Sequence, residues 1–416
     1  IVLALPVGFW ATIPKRHVFS ALLLVAVLYA FARSRDADAA PTVPGLGPVP
    51  LYRAGAYALV GLFTTIHAAE ALFAFFALVV VDIPTAPSND RRTLGMVAGV
   101  FALSLVPLLI TNSLVTGELL RPPRAMGERG LTAPAQENLT SGGGTGSDGG
   151  GSGTLGSQLE EFIVGLGAGP VGVIVGQILQ ISTDSLAEFT NLEAISRTYV
   201  SSSVDGISQG TQFVGINLSL LEAGPVLGAA VGAVVGSLTG GFARLRQSLD
   251  ATDALAVLFG VGFVLIYNSR LPLNTQVTVR YILVLYPLGV VLLTRAAATR
   301  RLLETQRSPL LWSYGASVAL GSQLLLAYFV IGQYAVGEAA RVHALLGFGL
   351  GVVAAITTVA SVADRRVEPV AAVALGLAAA AGTVLFLLAG FVHFAFIGEF
   401  VLPVVGAVSD MLAAAT

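Results

Sequence analysis

Residues 369–392 run for 24 positions without one ionisable side chain. A helix of that length rises about 36 Å, more than the roughly 30 Å hydrocarbon core of a bilayer. Further apolar runs fall near 1–13, 17–32, 54–66, 67–83, 93–113, 218–242, 251–267, 279–298, 310–332 and 343–362, with a short or re-entrant stretch at 396–416. Only 11% of the residues are charged and 55% are hydrophobic, with a mean hydropathy of +0.82. Soluble domains carry about 25% charged residues, so this chain cannot clothe a water-facing surface. The expected fold is an all-α, polytopic transmembrane helix bundle of about 10–12 spans or partial spans, with one long external loop.

The first apolar run has 13 residues and starts at Ile1, so it reads as the end of a helix whose start lies upstream. It lacks the basic flank and cleavage site of a signal peptide. The absence of cysteine excludes disulfides, thiolate metal sites and cysteine nucleophiles. A chain with 21 Arg and one Lys, rich in Ala, Val and Gly and carrying an acidic loop, hints at a halophilic archaeon. No dinucleotide fingerprint, P-loop or paired-histidine zinc motif occurs. Basic patches with interleaved aromatics are also missing, which argues against a nucleic-acid partner.

The run 54–83 is too long for one untilted crossing and is split near His67 into two crossings joined by a tight outer turn. A single kinked helix is the alternative, and it would reverse every crossing downstream. With the split, thirteen arginines collect on one side: Arg33, Arg35, Arg53, Arg91, Arg92, Arg244, Arg246, Arg295, Arg300, Arg301, Arg307, Arg365 and Arg366. The short segments of the other side keep five cations: Lys15, Arg16, Arg270, Arg280 and Arg341. By the positive-inside rule the first side is cytoplasmic, and the chain is a multi-pass protein of the cell membrane. The expected organisation is a first membrane block at 1–113, an external insertion at 114–217 and a second membrane block at 218–416. The insertion is acidic and holds a Gly/Ser linker at 141–158. Its apolar stretch 162–181 is interrupted by Gly and Pro and is expected to lie at the interface or re-enter it.

Ionisable groups at membrane depth are costly and mark function. Four stretches carry them on the expected outer side. "IPKRHVFS", 13–20, is a turn with Lys15, Arg16 and His17, suited to an anionic head group or simply solvated. "TTIHAAEAL", 64–72, places His67 and Glu70 on one helix face, as a proton-handling pair, a metal-binding contribution or a structural hydrogen bond. "TNSLVTGELLRPPR", 111–124, leaves a helix through Asn112, Thr116, Glu118, Arg121 and Arg124. "NSRLPLNTQVTVRYILVLYP", 268–287, joins Asn268, Arg270, Asn274 and Gln276 to Arg280 and Tyr281 at a helix threshold. A guanidinium fork there suits phosphate, although an arginine snorkelling from a helix end is the plain reading. His343 and His393 stand alone, and Glu399 is a buried-acid candidate if 396–416 re-enters.

Three of these stretches, in order, resemble the GT-C type of polytopic membrane glycosyltransferases, in particular prokaryotic relatives of the dolichyl-phosphate-mannose protein mannosyltransferases. They are "FWATIPKRHVFSALLLVAVLYAFARSRD" (9–36), "PLLITNSLVTGELLRPPR" (107–124) and "NSRLPLNTQVTVRYILVLYPLGVVLL" (268–293), the last with Arg280, Tyr281 and Pro287. The likeness spans residues 9 to about 300, and the later helices are generic. It implies sugar transfer at the outer face from a polyprenyl- or dolichyl-phosphate donor to a glycan, lipid or protein acceptor. It implies donor-phosphate binding by Arg280, Tyr281, Arg270, Lys15 and Arg16. His17, His67, Glu70, Asn112, Glu118, Arg121 and Asn268 would bind substrate or handle protons. The family's essential Asp would lie upstream of Ile1, so no catalytic base is named; no cofactor is assigned, and a divalent metal is left open. Where relatives often carry an acid after the Phe-Ser, this chain has Ala21, and its long Gly-rich insertion is a further departure. The competing readings are a transporter or flippase of a lipid-linked or anionic substrate, and a catalytically inactive relative. No pseudo-repeated halves favour the transporter.

Overall fold

The computed structural model describes residues 5–11, 16–36, 42–43, 47–48, 50–117, 119, 183, 186, 190–202, 218–239, 250–268 and 281–396. Lys15, Arg270, Arg280, Glu118, Arg121 and the stretches 162–181 and 397–416 lie outside them. The chain forms the expected polytopic helical bundle. Six helices among the described residues are long and apolar enough to cross a membrane: Arg16–Ser34, Leu51–Thr85, Arg91–Thr116, Arg307–Ile331, Val336–Ala363 and Arg365–Gly390. Three shorter apolar helices accompany them, at Leu227–Ser237, Ala251–Leu265 and Leu285–Arg295. The only strands among the described residues are Thr42–Val43 and Gly47–Pro48, paired antiparallel.

The chain divides into two compact units, Ile1–Val25 with Ala187–Thr416, and Ala26–Leu186. In the second unit the 35-residue helix Leu51–Thr85 is a hairpin. His67 leaves helical geometry for an extended φ of −154° and ψ of 98°. The Tyr57 hydroxyl donates to Asp82 Oδ2 at 3.0 Å although 25 residues separate them. In a straight helix those positions would stand about 38 Å apart. The chain therefore folds back at His67, giving arms of roughly 16–18 residues that approach the thickness of a bilayer core. This is the tight turn expected from length alone. The open ends of the hairpin are held by Asp82, which is fully buried. Arg53 Nε donates to it at 2.8 Å, and Arg35 Nη2 at 2.7 Å. With every oxygen engaged by cations or a phenol, this carboxylate has no spare capacity for chemistry.

The next helix, Arg91–Ser104, starts on Asp90. That side chain accepts from the Ser88 hydroxyl and from the Thr93 amide and hydroxyl, which lower its pKa to about 2. Val106–Thr116 continues the helix beyond Leu105 and ends at Gly117, whose φ of 75° is the left-handed cap geometry glycine favours.

In the first unit the helix expected over 218–242 is interrupted. Leu220–Ala223 stops at Gly224 and Leu227–Thr239 begins after Pro225. Proline lacks the amide and disfavours helical geometry in the residue before it. The buried Tyr286 ring fills the space beside Gly224, and its hydroxyl donates to the Leu220 carbonyl at 3.2 Å. The run 279–298 is also cut. Leu285–Arg295 ends where Ala296 turns extended, and Ala297–Thr305 follows as a separate helix. Arg295 is drawn into ion pairs with Asp250 and Asp253, which cap the start of Ala251–Tyr267.

The tightest contact in this unit joins Leu227–Thr239 to Val336–Ala363. Gly228 faces Gly351, Gly232 faces Ala355 and Gly236 faces Val359 and Val362. Glycines four apart let two helix backbones touch, the means by which apolar helices associate when lipid is as apolar as their side chains.

Candidate functional site

His17 opens the Arg16–Ser34 helix, and Tyr281 opens the chain leading into Leu285–Arg295. Their rings meet edge to face, with centroids 5.2 Å apart. The described ends of two stretches singled out separately in the sequence, 13–20 and 268–287, thus meet at His17 and Tyr281. Each partner is preceded in the chain by an arginine, Arg16 and Arg280. Arg16 is partly buried and His17 is buried. Ser20 lies one turn further along the same helix face as His17. It is fully buried, and its hydroxyl has no hydrogen-bond partner among the described residues. Asn268 is buried too, at the end of Ala251–Tyr267, with its amide nitrogen unpartnered among the described residues. A buried polar group without a partner costs about 1–3 kcal/mol, so such groups call for an explanation. Ser20 carries no sequence signal of its own, because a serine in a helix is ordinary.

The second candidate, His67 with Glu70, is also brought together. His67 Nδ1 stands 3.6 Å from Glu70 Oε1, and Glu70 is buried. The same Nδ1 accepts the Glu70 backbone N–H at 3.2 Å. A nitrogen that accepts an amide proton carries none itself, so the imidazole acts first as the cap of the hairpin's second arm. Asn112 has a structural task as well: its amide donates to the Leu119 carbonyl at 3.0 Å and ties down the helix exit, leaving its own Oδ1 without a donor.

A third constellation was not anticipated. Glu222 is fully buried and accepts from the Ser201 hydroxyl at 2.8 Å and Arg341 Nη1 at 2.7 Å on one oxygen. On the other it accepts from the Ser219 amide at 2.9 Å and the Ser202 hydroxyl at 2.7 Å. Arg341 also donates to the Ser202 hydroxyl and carbonyl. The Ser219–Glu222 half was legible, because "SLLE" is the capping-box pattern, and both of its reciprocal bonds form. The Arg341 half was not, since it lies 119 positions further along the chain. Its oxygens are saturated, so this carboxylate holds structure rather than substrate.

Among the described residues, no group of three His, Asp or Glu side chains is placed to hold a metal ion. Comparison with family models, with curated proteins and with solved structures finds no match for this chain.

Proposed function

We propose that the chain is a membrane glycosyltransferase that moves a sugar from a polyprenyl- or dolichyl-phosphate donor to a hydroxyl of a glycan, lipid or protein acceptor. The observation that supports this reading is the His17–Tyr281 contact, between residues that each follow an arginine in the sequence. In the reaction the bond from the sugar's anomeric carbon to the phosphate oxygen breaks. The acceptor oxygen bonds to that carbon and loses its proton, and the lipid phosphate departs with the added negative charge. Fixed guanidinium groups meet such growing charge without reorganising. Arg280 and Arg16 fill that role in this reading, with Lys15 and Arg270 near them in sequence. The unpartnered Ser20 hydroxyl and Asn268 amide supply hydrogen bonds for phosphate or sugar. The base that takes the acceptor's proton is not assigned.

The test is transfer of labelled sugar from dolichyl-phosphate-mannose and dolichyl-phosphate-glucose into membrane acceptors, with the full-length protein and its Arg280→Ala variant. Loss of a donor that faces developing charge costs about 10²–10³ in rate. A loss of that size supports the assignment. Transfer untouched by the substitution returns Arg280 to a snorkelling anchor, and no transfer from either donor by folded protein counts against the enzyme.

A further inference from the structure

Within the first unit, Ala297–Thr305 and Arg365–Val367 lie at one end of the bundle, joined where Arg301 Nε donates to Glu368 Oε1 at 2.6 Å. Around this link stand four exposed arginines: Arg300, Arg307, Arg365 and Arg366. None of them forms an ion pair with a described residue. Besides Asp250, the exposed acids described at this end are Glu304 and Asp364, and Asp364 is engaged with the Arg366 backbone N–H at 2.9 Å. Arg295 and Arg301 face three acids, Asp250, Asp253 and Glu368, which leaves one acid in surplus there. Among the described residues the rim therefore keeps a single net positive charge.

Arg307 begins the 25-residue apolar helix Arg307–Ile331, which is hardly covered by protein. Trp312, five residues in, is 76% exposed. That is about 7.5 Å below the arginine, the depth at which indole sits between head groups and acyl chains. A basic rim alone suits any anion, but an uncovered tryptophan one and a half turns below it suits a lipid.

We propose that this end of the bundle binds the phosphates of anionic phospholipid head groups, with Trp312 at the acyl boundary. Guanidinium forks match phosphate oxygens, and each cation near an anionic leaflet adds to the attraction. The inference is independent of the glycosyltransferase reading.

The chain has two tryptophans, and the other, Trp10, is buried. Fluorescence quenching by brominated lipids therefore reports on Trp312. In mixed micelles at low salt, brominated phosphatidylglycerol is expected to quench at a mole fraction roughly fivefold lower than brominated phosphatidylcholine, for one net charge. Replacing all four arginines by glutamine should abolish or reverse the preference while leaving quenching by phosphatidylcholine unchanged, which also shows the variant to be folded. Equal quenching by both lipids in the original protein overturns the proposal, as does a preference that survives the four substitutions. Full displacement of phosphatidylglycerol by inorganic phosphate at matched ionic strength overturns it too, since the site would then take a free anion.

Discussion

Arg341→Ala is expected to lower stability by about 3–5 kcal/mol, because it leaves the Glu222 carboxylate buried without its cation. The loss is not confined to one ion pair. Arg341 also holds the Ser202 hydroxyl and carbonyl, so the segment that ends in Ser201 and Ser202 loses its fastening to the Val336–Ala363 helix. Thermal unfolding in detergent micelles measures the effect. Arg341→Met combined with Glu222→Gln should lose less than Arg341→Ala alone, because no uncompensated charge remains. A loss below about 1 kcal/mol for Arg341→Ala would mean that water reaches the carboxylate and that the pair behaves as a surface salt bridge.

Gly228→Leu is expected to be the most damaging change on an apolar face. A Cβ there would stand 3.0 Å from Gly351 Cα and closer still to its carbonyl. The obstacle is backbone, which cannot rotate away as a side chain can, so the cost should reach the upper end of overpacking, about 3 kcal/mol or more. Gly232 is in the same position against Ala355. Gly349, on the same helix as Gly351 but with nothing within 4 Å of its would-be Cβ, is the control. Gly349→Ala should be neutral or slightly stabilising through helix propensity. The same unfolding assay reads both. Equal melting of the Gly228 and Gly349 variants would show that the glycine contact does not hold the two helices.

What could be read from the sequence follows from how local each signal is. The long apolar runs are local, and the membrane helices appear where they fall. The hairpin at His67 was legible because 54–83 is too long for one crossing. The break at Gly224–Pro225 carried a signal that an apolar count over 218–242 passes over. The end of a helix at Arg295 was hidden, since Ala296, Ala297 and Ala298 favour a helix and the arginine's partners, Asp250 and Asp253, are more than 40 residues away. The glycine ladder Gly228–Gly232–Gly236 is a four-residue repeat visible in "GAAVGAVVG", but its partner on Val336–Ala363 is not. In the candidate site, the sequence marked both stretches, and the one contact described between them is that of His17 with Tyr281. Ser20 and Arg341 escaped because only burial and distant partners distinguish them.

Under the proposed function, Arg16 and Arg280 grip one lipid-borne phosphate. The most direct measurement is the affinity of purified protein for a polyprenyl monophosphate, with Arg16→Gln, Arg280→Gln and both together. A hydrogen bond to a charged group is worth about 1.5–3 kcal/mol, so each single variant should bind at least about tenfold more weakly. If both guanidinium groups hold the same phosphate, the double variant loses less than the product of the singles, with a coupling of about 0.5 kcal/mol or more. Strictly additive losses, or affinity unchanged in either single variant, would contradict the account.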